Sequence, residues 1–342
     1  MRTIIIGDIH GCLEEFQRLI HTLRLQPKDH LVLLGDLIDK GPDSAGVVSF
    51  ARALAKSYRL SLVLGNHEES HLRWVAKEEK KRARMKRHLE SQFLHTQMSL
   101  EDVEFLRTAD LLVPLPEVGA VAVHAGIPEF MHEIPTKEII AAASSKIRKR
   151  INQACRLRYV TSEGHFVGLF DIDRDKHEFW AARYDGRFGH AYYGHEHMET
   201  LRKDKHATSL DLGCVYGGKL AAAVLRSGKP EEIVTVDALE KYSSGWWPVS
   251  LEYRPLADSL VSRGVMGRER LLHTLYYAEE GRADAMLYTL ASETVPSSFR
   301  EITSNRKYED VSSEAKEALE AVGFTQEMHE SRPYLGIDTP KE

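Results

Sequence analysis

Residues 3–11, TIIIGDIHG, pass from Ile4, Ile5 and Ile6 directly into Gly7, Asp8, His10 and Gly11. Consecutive branched apolar residues predict a short strand buried on both faces, and the glycines predict that it ends in a turn. The same pattern returns along the first two hundred or so residues. HLVLLGD (30–36), LSLVLGN (60–66), AVAVHAG (120–126) and HAYYGH (190–195) are each an apolar run that stops at or near a glycine beside Asp, Asn or His. Between the first two runs, LEEFQRLIHTLRL (13–25) repeats Leu13, Phe16, Leu19, Ile20 and Leu23 at helical spacing. Between the second and third, SAGVVSFARALAKS (44–57) does so with Val47, Val48, Ala51, Leu54 and Ala55. Crossover helices join parallel strands, so the expected class is α/β, with the polar strand ends converging in one crevice where open α/β sheets bind ligands.

The pattern stops near residue 240. The sequence therefore predicts a main domain over 1–240 and a mainly helical extension over 241–342, with helices around residues 268–292 and 312–323. Fifty-one acidic against 46 basic residues give a net charge of -5, so nothing global draws the chain to nucleic acid or to a membrane surface. No apolar run approaches the roughly 20 residues of a bilayer helix, and the first strand begins at once, which leaves no room for a signal peptide. Cys12, Cys155 and Cys214 are too few and too scattered for a disulfide framework, and packing is their expected role. A cytoplasmic location is the expectation. Two basic stretches, RWVAKEEKKRARMKRH (73–88) and SSKIRKRINQACRLRY (144–159), read as solvated helix faces, with a rim for an anionic substrate or nucleic acid as the functional alternative.

Asp8 and His10 stand two apart at a strand end, so in an extended backbone their side chains leave one face and can grip one ion. Asp36 takes the matching place on the next strand, where a carboxylate can bridge two cations. Asn66 and His67 follow the third run, His124 the fourth, and His195 and His197 the fifth. Carboxylate, imidazole and amide oxygen together suit manganese, iron or zinc better than calcium.

The motifs GDIHG, GDLIDKGPDS, GNHE, HAGI and YGH, in that order, resemble those of the calcineurin-like metallophosphoesterases of the phosphoprotein-phosphatase type. RLRYV (156–160), FWAARYDGRFGH (179–190) and LDLGCVYGGKLAAAVL (210–225) are similar to segments of bacterial symmetrical bis(5'-nucleosyl)-tetraphosphatases and related serine/threonine phosphatases. The resemblance implies a four-layer fold, two mixed β-sheets packed together and flanked by helices, with 1–240 as the catalytic domain. It implies two divalent metal ions, manganese first and iron, zinc or cobalt as alternatives. One is held by Asp8, His10 and Asp36, the other by Asp36, Asn66, His124 and His195. Two such ions about 3.5 to 4 Å apart hold a bridging water, lower its pKa and neutralise phosphoryl charge during in-line attack. His67 then protonates the leaving oxygen and Asp39 orients it.

Lys40, Arg158 and Arg183 are the expected phosphate-gripping residues, although relatives usually carry Arg where this chain has Lys40. GHEH (194–197) makes His197 a further candidate ligand, as in the wider superfamily, and Leu212 replaces a common Thr, which leaves Asp211 a supporting role. The expected substrate is a bis(5'-nucleosyl) tetraphosphate. A serine/threonine phosphoprotein is the alternative, encouraged by Glu68 in GNHE where the tetraphosphatases often have Asp. An RNA end comes third, and a non-catalytic binding protein last.

Overall fold

Every strand read from the sequence forms, and each is short because its apolar run is short. The structure, a computed structural model, describes residues 1–78, 88–243 and 260 of the chain. β1 (Thr3–Ile6), β2 (His30–Leu33) and β3 (Arg59–Leu62) pair in parallel, joined by α1 (Leu13–Leu23) and α2 (Ser44–Ser57). α3 (Asn66–Val75), α4 (His88–Gln97) and α5 (Leu100–Arg107) lead on to β4 (Leu112–Leu115) and β5 (Ala120–Val123). α6 (Lys137–Ala142) and α7 (Ser145–Ile151) precede the small β6 (Tyr159–Val160) and β7 (Glu178–Phe179) hairpin, and α8 (Trp180–Arg183) follows it. β8 (His190–Tyr193), β9 (Lys203–Asp204), β10 (Ala207–Ser209), β11 (Asp211–Leu212), β12 (Lys219–Leu225) and β13 (Glu232–Asp237) complete the unit.

The strands divide between two mixed sheets rather than sharing one. In the first, β12 lies antiparallel to β1 and to β13, so β13, β12, β1, β2 and β3 run side by side, and β11 pairs with the first two residues of β12. The second has the order β4, β5, β8, β10, β9, parallel at its centre and antiparallel at its edges. The period of two explains the layers. Ile4, Ile6, Leu31 and Leu33 face Phe16, Leu19, Val47 and Val48 of the helices. Ile5 and Val32 turn the other way, onto Val113, Leu115, Ala120 and Ala122 of the second sheet. Val121, Val123, Ala191 and Tyr193 close the far side against Leu157, Phe179 and Trp180. The order is helix, sheet, sheet, helix, the four-layer arrangement that the resemblance implies.

The contacts divide the chain into units Met1–Ser243 and Ser244–Glu342. The helices expected around 268–292 and 312–323, and residues 79–87 of the first basic stretch, lie outside the described residues. The second basic stretch forms α7, whose Lys146, Arg148, Lys149 and Arg150 are exposed. No helix among the described residues is long and apolar enough to cross a membrane.

Phe16 joins α1 to this core, fully buried and edge-on to Phe50 at 5.1 Å. Phe16→Ala is expected to destabilise the unit by about 3 to 5 kcal/mol, the usual cost of removing a buried aromatic ring. Denaturant unfolding monitored by circular dichroism measures it, and a midpoint unchanged from wild type would refute this packing.

Candidate metal centre

The polar residues follow the carboxyl ends of β1, β2, β3, β5 and β8, and the turns that carry them are strained. His10, Asp36, Asp39, Lys40 and His195 all adopt positive φ, between 47° and 71°. Side-chain-bearing residues seldom occupy that region unless the surroundings enforce it, and such outliers gather at functional sites. His10 is thus not part of an extended strand, and the same-face argument for Asp8 and His10 gives way to a turn. That turn sends the two side chains to different neighbours. The Asp8 Oδ2 accepts a hydrogen bond from the His195 backbone N–H at 2.9 Å, whereas His10 Nε2 faces Asp36 Oδ2 at 3.4 Å.

Gly194 is required by that approach, since a Cβ there would sit 1.9 Å from Asp8 Oδ1. Gly194→Ala is therefore expected to displace Asp8 and weaken metal binding by about 10- to 100-fold, the scale seen when a ligand's support is removed. Isothermal titration with manganese reads it; equal affinity in variant and wild type would rule out this packing.

Asp36 lies at the centre. Its Oδ1 is 3.4 Å from His124 Nε2 and accepts the His67 backbone N–H at 3.1 Å, while Oδ2 faces His10. Burial alone would raise the Asp36 carboxyl, but the charges of His124, His67 and His10 outweigh it and hold it well below the ordinary range. Beneath it, Glu68 accepts the backbone N–H groups of Asp36 and Leu37, each at 2.8 Å, and is itself fully buried. Burial and the Asp36 charge push Glu68 up to about 7. The sequence reading missed this clamp. The place of Glu68 in the first turn of α3 suggests a cap for that helix, whereas its partners lie in the turn after β2.

Two imidazoles are fixed by the same device. His10 Nδ1 donates to the Ile38 carbonyl at 2.9 Å and His124 Nδ1 to the Leu34 carbonyl at 2.8 Å. Each hydrogen bond sets the tautomer and turns Nε2 inward, as second-sphere carbonyls do for metal-binding histidines. His124 Nε2 lies 3.1 Å from Asn66 Oδ1 and 3.2 Å from His195 Nδ1. Burial opposes a charge on His124, yet the Asp36 and Asp8 carboxylates prevail and push it up to about 9. The site attracts positive charge.

His67 Nδ1 donates to Asp39 Oδ2 at 2.5 Å. His67 also stands edge-on to His10, with ring centroids 4.8 Å apart. Lys40 Nζ donates to His10 Nε2 at 2.7 Å and lies 5.4 Å from the centre of the Tyr216 ring. The ammonium thus holds the lone pair that a cation at His10 would use, and it must turn aside when one binds.

The other expected residues sit further out. Arg158 pairs with Glu196, between His195 and His197. Arg183 is held by Glu129 at 2.5 Å and faces Glu178 at 3.5 Å. His197 packs on Tyr216, centroids 5.0 Å apart, and joins neither cluster around Asp36. Asp211 accepts the Gly213 backbone N–H at 2.9 Å, and burial, together with the nearby Asp211 charge, lifts Asp8 well above its usual range.

Donor atoms of His10, Asp36 and His67, and of Asp36, His124 and His195, form two clusters that share Asp36. Two buried atoms beside them, Asp8 Oδ1 and His195 Nε2, have no hydrogen-bond partner. Convergent imidazole nitrogens and carboxylates with unsatisfied buried atoms fit divalent metal ions.

Comparison with known proteins agrees. The family model of the calcineurin-like phosphoesterases matches residues 1–206. The chain belongs to the calcineurin-like phosphoesterases. This calcineurin-like phosphoesterase is thereby a metal-dependent hydrolase of phosphoester or phosphoanhydride bonds. It is 30% identical over 240 residues to the asymmetrical bis(5'-nucleosyl)-tetraphosphatase PrpE of Oceanobacillus iheyensis, covering 65% of this chain and 88% of that one. It is 28% identical over 273 residues to the symmetrical bis(5'-nucleosyl)-tetraphosphatase of Chromohalobacter salexigens, covering 67% and 96%. A crystal structure provisionally described as a diadenosine tetraphosphatase matches with a TM-score of 0.53 at 25% identity, over 70% of this chain and 94% of that one.

Proposed function

We propose that this calcineurin-like phosphoesterase hydrolyses the phosphoanhydride chain of a bis(5'-nucleosyl) tetraphosphate. Asp8, His10 and Asp36 hold one divalent ion, and Asp36, Asn66, His124 and His195 hold the other, with manganese in both places. The observation that carries this reading is the double reach of Asp36, whose two oxygens each lie 3.4 Å from an imidazole of a different cluster. A pair of divalent ions supplies an activated water and neutralises charge on the phosphoryl oxygens.

The chain's own residues do the rest. His67, oriented through its Nδ1 by Asp39, presents Nε2 as the proton donor to the leaving oxygen. Lys40, turned from His10, offers a point charge to a phosphoryl oxygen, where an Arg would offer a two-pronged donor. Arg158, next to His195 through Glu196, extends that positive rim. Arg183, committed to two carboxylates, holds the rim's outer wall together with Glu129 and Glu178. The buried free thiols of Cys12, Cys155 and Cys214 suit a reducing cytoplasm.

The substrate reading is supported by the two tetraphosphatase relatives, which this chain covers over most of their length. Glu68 in GNHE favours a second reading, a serine/threonine protein phosphatase, because tetraphosphatases often carry Asp there. The test is a comparison of kcat/KM for diadenosine tetraphosphate, a phosphoseryl peptide and a 5'-phosphorylated RNA with the manganese-loaded enzyme. The nucleotide is expected to be the best substrate. A higher value for the phosphopeptide would replace this reading with the second.

A further inference from the structure

Beside the phosphoesterase centre, the described residues hold one more cluster of metal-ligating side chains. The sulfurs of Cys12 and Cys214 and a carboxylate oxygen of Glu15 lie within 4.8 Å of one another. We infer that Cys12, Glu15 and Cys214 form a structural zinc site, separate from the catalytic pair of ions.

The chain builds this cluster from three places. Cys12 caps the start of α1, Glu15 lies three residues on and so on the same helix face, and Cys214 sits in the glycine turn between β11 and β12. All three are enclosed, with 0%, 0% and 2% of their surface exposed. Glu15 uses one oxygen fully. Its Oε1 accepts the Leu239 backbone N–H at 2.8 Å and the Tyr242 hydroxyl at 2.9 Å. Its Oε2 is buried and has no hydrogen-bond partner. An unpaired carboxylate oxygen in the interior is costly, and it calls for a cation or a donor.

A disulfide between the two cysteines would leave Oε2 as it is. A divalent ion would use it together with both sulfurs. Thiolates select zinc, whereas the nitrogen and oxygen donors around Asp36 contain no sulfur and accept harder ions. The ion replaces the proton on each thiol, so the site forms with release of two protons to solvent and no transfer of electrons. Cys12, Glu15 and Cys214 would supply three of zinc's four usual positions, leaving the fourth to a small ligand.

The consequence is mechanical. The Cys12 thiol now lies 3.7 Å from the His10 carbonyl, immediately after the strained turn that carries His10. An ion here ties that turn to the β11–β12 turn and, through Glu15, to residues 239–242 at the end of the unit. It steadies the frame of the catalytic ligands without contacting substrate.

Cobalt tests this in the full-length protein. After stripping with a chelator and reloading with Co2+, the wild type is expected to show near-ultraviolet thiolate-to-cobalt charge transfer, which a centre of nitrogen and oxygen ligands cannot give. Cys214→Ala is expected to lose that absorption and one cobalt per chain, and Glu15→Gln to bind that cobalt at least tenfold more weakly. Cys155, in the other sheet's core, is unaffected and serves as the control thiol. Absence of the charge-transfer band in the wild type overturns the proposal, whether or not the variants fold. So does a mass spectrum of the unreduced protein that shows Cys12 and Cys214 joined as a disulfide.

Discussion

Asp36→Ala is expected to lower kcat/KM by about 10³-fold or more on every substrate, with binding of at least one metal ion lost. The reason lies in the position of the carboxylate. Its two oxygens serve both clusters, and no other described side chain belongs to both. Removing it frees the two groups of imidazoles from their common counter-charge, so each binds a cation less tightly. A bound ion contributes several kcal/mol of charge stabilisation in phosphoryl transfer. At about 1.4 kcal/mol per decade of rate, losing one ion corresponds to about 10³-fold. The fold should survive, because Glu68 holds the backbone N–H groups at residues 36 and 37 rather than the Asp36 side chain. Steady-state kinetics beside elemental analysis of the purified variant measures both effects. Near-wild-type turnover, or unchanged metal content, would contradict the assignment of Asp36 as the shared ligand.

His67→Asn gives the second large effect, and its signature is selectivity. A seryl oxygen leaves as a strong base and needs a proton, whereas a nucleotide phosphate or para-nitrophenolate leaves as a stable anion. The loss of a general acid is ordinarily about 10²- to 10⁴-fold. That full loss is expected for a phosphoseryl peptide, and a much smaller one for para-nitrophenyl phosphate. Because His67 also falls in the cluster with His10 and Asp36, metal content distinguishes the two roles open to it. Retention of metal with a leaving-group-dependent loss assigns proton donation. Loss of metal with a uniform drop across substrates would make His67 a ligand instead.

Several elements of this molecule were open to reading from the sequence for one physical reason. Ile4–Ile6, Leu31–Leu34 and Val121–Val123 are runs buried on both faces, and a buried run that stops at glycine beside a polar residue marks a strand end. The same property hid how the strands are shared out. A strand apolar on both faces shows no alternation, so Ile5 facing one sheet and Ile6 facing helices look alike in sequence. The division into two sheets came from the family resemblance alone.

Other features depended on distant partners. KLAAAVL, residues 219–225, is rich in alanine and weak in strand propensity, yet it forms β12 because β1 and β13 flank it. Glu68 finds its partners 31 and 32 residues away, and Arg183 meets Glu129 54 residues away. Lys40 was legible as a cation near the site, while its hydrogen bond to His10 follows from a left-handed turn at Asp39 and Lys40 that residue type does not advertise.

The central claim is that Asp36 stands between a pair of divalent ions. Diffraction from manganese-soaked crystals, recorded near the manganese absorption edge, tests it most directly. The account predicts paired anomalous peaks flanking the Asp36 carboxylate, one beside His10 and Asp8, the other among Asn66, His124 and His195. A lone peak, or peaks that Asp36 does not touch, would contradict it.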